Sequence, residues 1–375
     1  MKIIILTIVL TVGYYGFSQQ TIDKDIQKLF TAELEKENIK SGLLHIYSKS
    51  RNIDLQIAKS KEDTINSNSP FYTASVTKML TAVAIGILKE KHKLNFNDKI
   101  AQYLPEALVR NLHVFKGKDH SKDLTIAHLL QHTSGLPDYF TDHTNDGSPN
   151  VINQLLSNPK KSWSAEALIT FTKQNMTPLF SPGTNYHYTD TEYVLLALII
   201  ENVSGLPFHQ FLEQHLFQPL QMQSAYINLK SAPIKKNWPM TKFYAGAMEL
   251  SSLTSLSADW GGGGLVATTQ DLITFLEAFN KDEIVTKTTR LAMQNWRYET
   301  QGMDYGFGIR KVSMKAVTGA DTDVQLIGHS GSTGAFVWYC PQLDTYISGT
   351  LNQLEASKSA FMLVHNVLQI IEHHD

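Results

Sequence analysis

The chain has 375 residues, of which 42% are hydrophobic and 18% charged, a composition able to bury a large core. Its 33 basic and 35 acidic residues give a formal charge of −2 with no basic block, which argues against a nucleic-acid partner. One cysteine, Cys340, excludes an internal disulfide; its strand-like neighbours Phe336 to Tyr339 make it a core residue rather than a nucleophile.

In chain order, Met1-Lys2, the apolar run Ile3 to Gly13 and the small residues of Gly16-Phe17-Ser18 read as a cleavable secretory signal over residues 1–18. That predicts a secreted or periplasmic protein beginning at Gln19, with no lipid-attachment cysteine near the N-terminus; an uncleaved anchor is the competing reading. A helix is expected from Asp23 to Asn38, then a hairpin from Leu43–Tyr47 and Ile53–Ala58. From Val76 to Leu88 nearly every position is apolar or small, the mark of a helix buried all round. Helices are predicted over Leu124–Gln131, Ala165–Gln174, Tyr193–Val203, Asp271–Phe279 and Ala356–Ile371. Strands are predicted over Tyr305–Lys311, Val324–Ile327, Ala335–Cys340 and Thr345–Leu351. Strands at both ends with helices between imply an α/β (α+β) domain over 19–375. Its mainly antiparallel sheet comes from about 19–89 and 226–375, with a helical insert over about 90–225.

Three stretches could carry chemistry. Ser75-Val76-Thr77-Lys78 puts a hydroxyl and an amine on one helical face, and a desolvated amine beside a serine can activate it. The competing reading has Ser75 as a helix cap and Lys78 in solvent. Phe180 to Asp190 is a loop with a Pro182-Gly183 turn, in which Asp190 caps the next helix and fixes Tyr188; plain aromatic packing is the alternative. Ile327 to Phe336 has three glycines in a row of ten residues; a hairpin turn with an exposed His329 is its competing reading. His128 and His132, four apart, have zinc spacing but no third ligand follows, so they read as helix-end packing and capping, and no metal or cofactor is expected. The sequons at Asn175 and Asn202 are at chance level.

Together these pieces resemble the serine β-lactamase and penicillin-binding-protein superfamily, in the branch of class C β-lactamases, D-alanyl-D-alanine carboxypeptidases and related esterases. Leu129 to Leu136, Phe217 to Met222 and Gly263 to Leu272 extend the resemblance over most of the chain. It implies Ser75 as the acylated nucleophile, Lys78 assisting its deprotonation and holding Tyr188, and Tyr188 exchanging protons. It also implies that His329-Ser330-Gly331 lines the site and that the backbone N–H groups of Ser75 and Ser332 form the oxyanion hole. A phenol titrating near ~10 needs two nearby cations or donors to favour its anion.

Two residues depart from the family pattern. Asp190 replaces an asparagine, trading an amide for an acceptor that can pair with Lys78. His329 replaces a lysine and so weakens any clamp on a substrate carboxylate. The implied function is an exported serine hydrolase with a small-molecule or peptidoglycan-like peptide substrate: a D-amino-acid peptide, a small ester or amide, or a β-lactam. A non-catalytic binding or sensing domain on the same fold is the alternative.

Overall fold

The computed structural model describes residues 21–374 apart from 37, 237, 321 and 322, so the signal over residues 1–18 lies outside the described residues. An eight-stranded antiparallel sheet forms the centre. Its order is Arg297–Thr300, Met303–Tyr305, Arg310–Ser313, Gln325–Ser330, Phe336–Cys340, Thr345–Thr350, Ser41–Ser48 and Ile53–Ser60. The two chain ends meet where Leu43 pairs with Thr350 and Tyr47 with Tyr346. The sheet class and its assembly from both ends are as the sequence predicts.

Side chains alternate across the sheet because a strand has a period of two. Leu44, Ile46, Phe336, Trp338, Cys340 and Ile347 face one core, where the helix over 21–34 and the Ser357–His373 helix cover them. The second helix buries Ala360, Leu363, Val364, Val367, Leu368 and Ile371, a stripe at helical spacing. Leu43, Val337 and Tyr346 face the larger core, shared with the Thr77–Glu90, Asp190–Ser204 and Thr269–Asn280 helices. Thr77 through Leu88 are all buried, as an all-apolar helix requires. Between residues 90 and 225 the regular elements are helices, joined by long loops, apart from the small hairpin of Val114–Phe115 and Lys118–Asp119.

Several boundaries differ from the sequence reading. The first helix stops at residue 34 rather than Asn38, whose backbone is left-handed (φ 69°). The predicted strand Tyr305–Lys311 is two strands, Met303–Tyr305 and Arg310–Ser313, broken where Phe307 N–H donates to the Met293 carbonyl. The edge strand Arg297–Thr300 has no apolar run and is absent from the sequence reading.

Candidate active site

Ser75 does not cap a helix. It sits in a single 3₁₀ turn, Ala74–Val76, and the backbone of Val76 opens the Thr77–Glu90 helix without a side-chain cap. Thr77 Oγ1 donates to the Ala74 carbonyl at 2.7 Å and accepts the Leu265 N–H at 3.0 Å, tying this turn to a neighbouring strand. Ser75 remains partly exposed while Lys78, one turn on, has no exposed side-chain surface.

Lys78 Nζ donates to Ser75 Oγ at 3.3 Å, to the Gly262 carbonyl at 2.9 Å and to Asp190 Oδ1 at 2.5 Å. A Cβ at position 262 would run into the Asp190 carboxylate, so any larger residue there must displace the partner of Lys78. Burial by itself would lower the Lys78 pKa, but Asp190 and the Tyr188 phenol outweigh it and hold it above its ordinary value. Lys78 is therefore an ammonium ion and not the free amine that desolvation alone suggested. Two further carboxyl groups flank this pair. Asp138 Oδ1 accepts the Asp190 N–H at 3.0 Å, and burial pushes its carboxyl up to about 6. Asp259 accepts the Tyr72 hydroxyl at 2.6 Å, and burial pushes it up to about 7.

Tyr188 lies at the entry of the Asp190–Ser204 helix. The cap is Thr189, whose Oγ1 accepts the Thr191 N–H at 3.1 Å; this frees Asp190, assigned the cap from sequence, to turn onto Lys78. Lys78 Nζ stands 4.8 Å from the Tyr188 ring centre and the Arg310 guanidinium carbon 5.1 Å from it. The Tyr188 hydroxyl is buried and has no hydrogen-bond partner among the described residues. Two cations are thus present, but burial raises the phenol pKa more than Lys78 and Arg310 lower it, and Asp190 adds to the rise. The resting group is the neutral phenol, contrary to the expected bias towards its anion.

His329 is neither at a hairpin tip nor exposed. It is a fully buried residue of the Gln325–Ser330 strand, paired with Val337. Its Nδ1 donates to the Ser330 carbonyl at 2.7 Å, an oxygen that can only accept, so Nε2 accepts the Tyr305 hydroxyl at 3.1 Å. Burial first, then Arg310 and Lys78, push its pKa well below the ordinary value, so it is neutral with both nitrogens engaged. Gly331 packs on the Thr73 carbonyl and Ala74, and Thr333 Oγ1 donates to the Tyr72 carbonyl at 2.9 Å. These contacts lay the Ser330–Ser332 segment, with Ser332 exposed, against the Ala74–Val76 turn that carries Ser75.

The structure therefore gathers Ser75, Lys78, Tyr188 and Asp190 at one place, with His329 and Ser330 on the strand beside it and Gly331 and Ser332 in the turn that follows. Sequence reasoning missed Arg310, whose Nε and Nη2 hold Glu299 at 2.8 and 2.7 Å while the guanidinium faces Tyr188 and Tyr305. No local pattern announces it, because Glu299 lies two strands away in a segment not recognised as a strand. Asp138 and Asp259 were missed for the same reason. His128 caps its own helix, with Nδ1 accepting the Thr125 N–H at 3.2 Å.

The family model described as Beta-lactamase matches residues 26–370. Over 265 residues the chain is 28% identical to Penicillin-binding protein 4* of Bacillus subtilis (strain 168), covering 65% of this chain and 52% of that protein. The chain thus spans about half the length of that relative. The D-amino acid amidase of Ochrobactrum anthropi SV3, complexed with L-phenylalanine amide, aligns with a TM-score of 0.77 at 19% identity, covering 94% of this chain and 99% of that one. The penicillin binding protein of Bacillus halodurans aligns at 0.67 and 21% identity, covering 93% and 98%. At such identities the two structures speak for the fold, and the match along almost the whole sequence speaks for descent: the chain belongs to the Beta-lactamase family, in the serine hydrolase superfamily of the β-lactamase and transpeptidase fold.

Proposed function

We propose that the protein is an exported serine hydrolase that forms an acyl-enzyme at Ser75. Its substrates would be esters or amides of D-amino acids that lack a carboxylate next to the bond being cut. The observation that carries the substrate part is the commitment of every cation at the site. Lys78 is held by Asp190, Arg310 is held by Glu299 through two hydrogen bonds, and His329 is neutral with both nitrogens bonded. A carboxylate entering beside Asp190 would meet a negative charge and no free partner, which disfavours it strongly away from bulk water. The carboxypeptidase and β-lactamase types therefore rank below the amidase and esterase types. The D-amino acid amidase named among the structural neighbours is consistent with that ranking.

In this reading the Lys78 ammonium stabilises the developing Ser75 alkoxide through its 3.3 Å contact. The phenolate form of Tyr188, favoured by Lys78 and Arg310 against its burial, takes the Ser75 proton as Oγ attacks the carbonyl. The phenol then passes that proton to the leaving amine or alcohol. Water repeats the cycle on the ester: its proton goes to Tyr188, its oxygen to the acyl carbon, and Ser75 recovers the proton. The Ser75 and Ser332 N–H groups are the proposed oxyanion donors.

A matched pair of substrates provides the test: N-acetyl-D-alanyl-D-alanine and its C-terminal amide, offered to wild type and Ser75→Ala. The amide should be turned over with kcat/KM at least about tenfold higher, a margin worth roughly 1.4 kcal/mol. Ser75→Ala should abolish both reactions, and intact-mass measurement of wild type with an aryl acetate should show one added acetyl group. A wild type that neither acylates nor exceeds Ser75→Ala sinks the hydrolase reading. Preference for the free acid sinks the substrate assignment alone.

A further inference from the structure

His132 follows the Ile126–Leu130 helix in the left-handed region, at φ 58°, a conformation in which histidine is among the enriched residues. Its side chain is completely buried, as is that of Glu192 in the first turn of the Asp190–Ser204 helix. The residue grips the chain on both sides of Tyr188. Its carbonyl accepts the His187 N–H at 2.9 Å, and its Nδ1 accepts the Thr189 N–H at 3.3 Å. Between these two bonds the imidazole lies against the Tyr188 ring, with centroids 4.3 Å apart.

Glu192 holds the imidazole in turn. Its Oε2 stands 2.5 Å from Nδ1, and its Oε1 accepts the Ser134 N–H at 3.1 Å. A ring nitrogen that accepts the Thr189 N–H carries no hydrogen of its own, so the short bond needs a proton on Glu192. Burial agrees: it drives the Glu192 carboxyl well above its ordinary value and the His132 imidazole well below. The pair is a neutral acid donating to a neutral imidazole. It adds no charge beside Lys78 and Arg310, yet fixes the orientation of the ring that backs Tyr188.

We infer that His132 is a positioning residue for Tyr188, oriented by Glu192, and that it sets the chemical step rather than substrate binding. This rests on the proposed role of Tyr188 in proton transfer. The test measures kcat and KM on an aryl acetate for wild type, Tyr188→Phe, His132→Phe, the double variant and Glu192→Gln. Phenylalanine keeps the ring at 132 and removes the acceptor. His132→Phe should lower kcat about tenfold or more while KM moves less than about threefold. The double variant should be no slower than Tyr188→Phe alone, because a residue acting through another adds nothing once that other is gone. Glu192→Gln should stay within about threefold of wild type, since its amide donates to Nδ1 and its carbonyl accepts from Ser134. Should His132→Phe fail to fold, Glu192→Met, similar in shape but with no donor, should show the kcat loss in its place. A slow Tyr188→Phe beside a fully active His132→Phe overturns the inference alone, as do effects that multiply in the double variant or a tenfold loss in Glu192→Gln. Full activity in Tyr188→Phe overturns both the role of Tyr188 and the inference built on it.

Discussion

The family resemblance puts an asparagine where this chain has Asp190, and that one change sets a carboxylate against Lys78. Asp190 keeps Lys78 protonated, and it adds to the rise that burial imposes on the Tyr188 pKa. If Tyr188 works as a base, only its anion is active, so kcat/KM should rise as pH increases through the alkaline range. Asp190→Asn removes one contribution to the raised phenol pKa and leaves burial in place, so the rising limb should move to lower pH. A pH–rate profile of both proteins on one neutral ester decides this, and an unmoved or upward-shifted limb contradicts it. The substitution also removes one partner of a largely buried ion pair, at a cost of at most about 3–5 kcal/mol of stability. Chemical denaturation would measure that cost. Ser75, Lys78, Tyr188 and Asp190 were legible because their spacing and motif context are local. Arg310–Glu299 and His132–Glu192 were not, since each pair joins separate elements; His132 stood out only by its spacing from His128, which says nothing of Glu192.

Among the elements, legibility follows hydrophobic periodicity. The Ser357–His373 helix was recognisable because its buried face repeats at helical spacing. The strands Phe336–Cys340 and Thr345–Thr350, buried along nearly their whole length, were recognisable as short aromatic or β-branched runs bounded by glycine or proline. The edge strand Arg297–Thr300, half solvated along its length, carries no such signal. The Gly261–Gly264 run reads only as a change of texture until Lys78 and Asp190 are seen to need the space beside Gly262. The C-terminal helix packs on the face of the sheet away from Ser75, and this separates stability from activity. Leu368→Ala, in the middle of its buried stripe, should cost about 2–5 kcal/mol in denaturant unfolding. The kcat of the folded fraction should stay at the wild-type value. A matching fall in kcat would show that this face is coupled to the site.

At the scale of the molecule, one sheet divides two cores, and the candidate site lies on the side of the larger. The Ser75 turn, the Asp190 helix and the Gln325–Ser330 strand come from widely separated parts of the chain, so the site exists only once the sheet has closed. That dependence gives the lone thiol a use. Cys340 is the last residue of a central strand, fully buried in the core away from the site, and burial pushes its thiol up to about 11. A thiol reagent reaches it only when the sheet parts, so its labelling rate under native conditions is a clock for that opening. Reaction with an aromatic disulfide at pH 8 should be slow and single-phased, and low concentrations of urea should hasten it. Stoichiometric labelling within the mixing time would mean that the strand is open in the native state. Because the protein has no other cysteine, the signal comes from a single position, and the opening of the scaffold can be timed without touching the chemistry of Ser75.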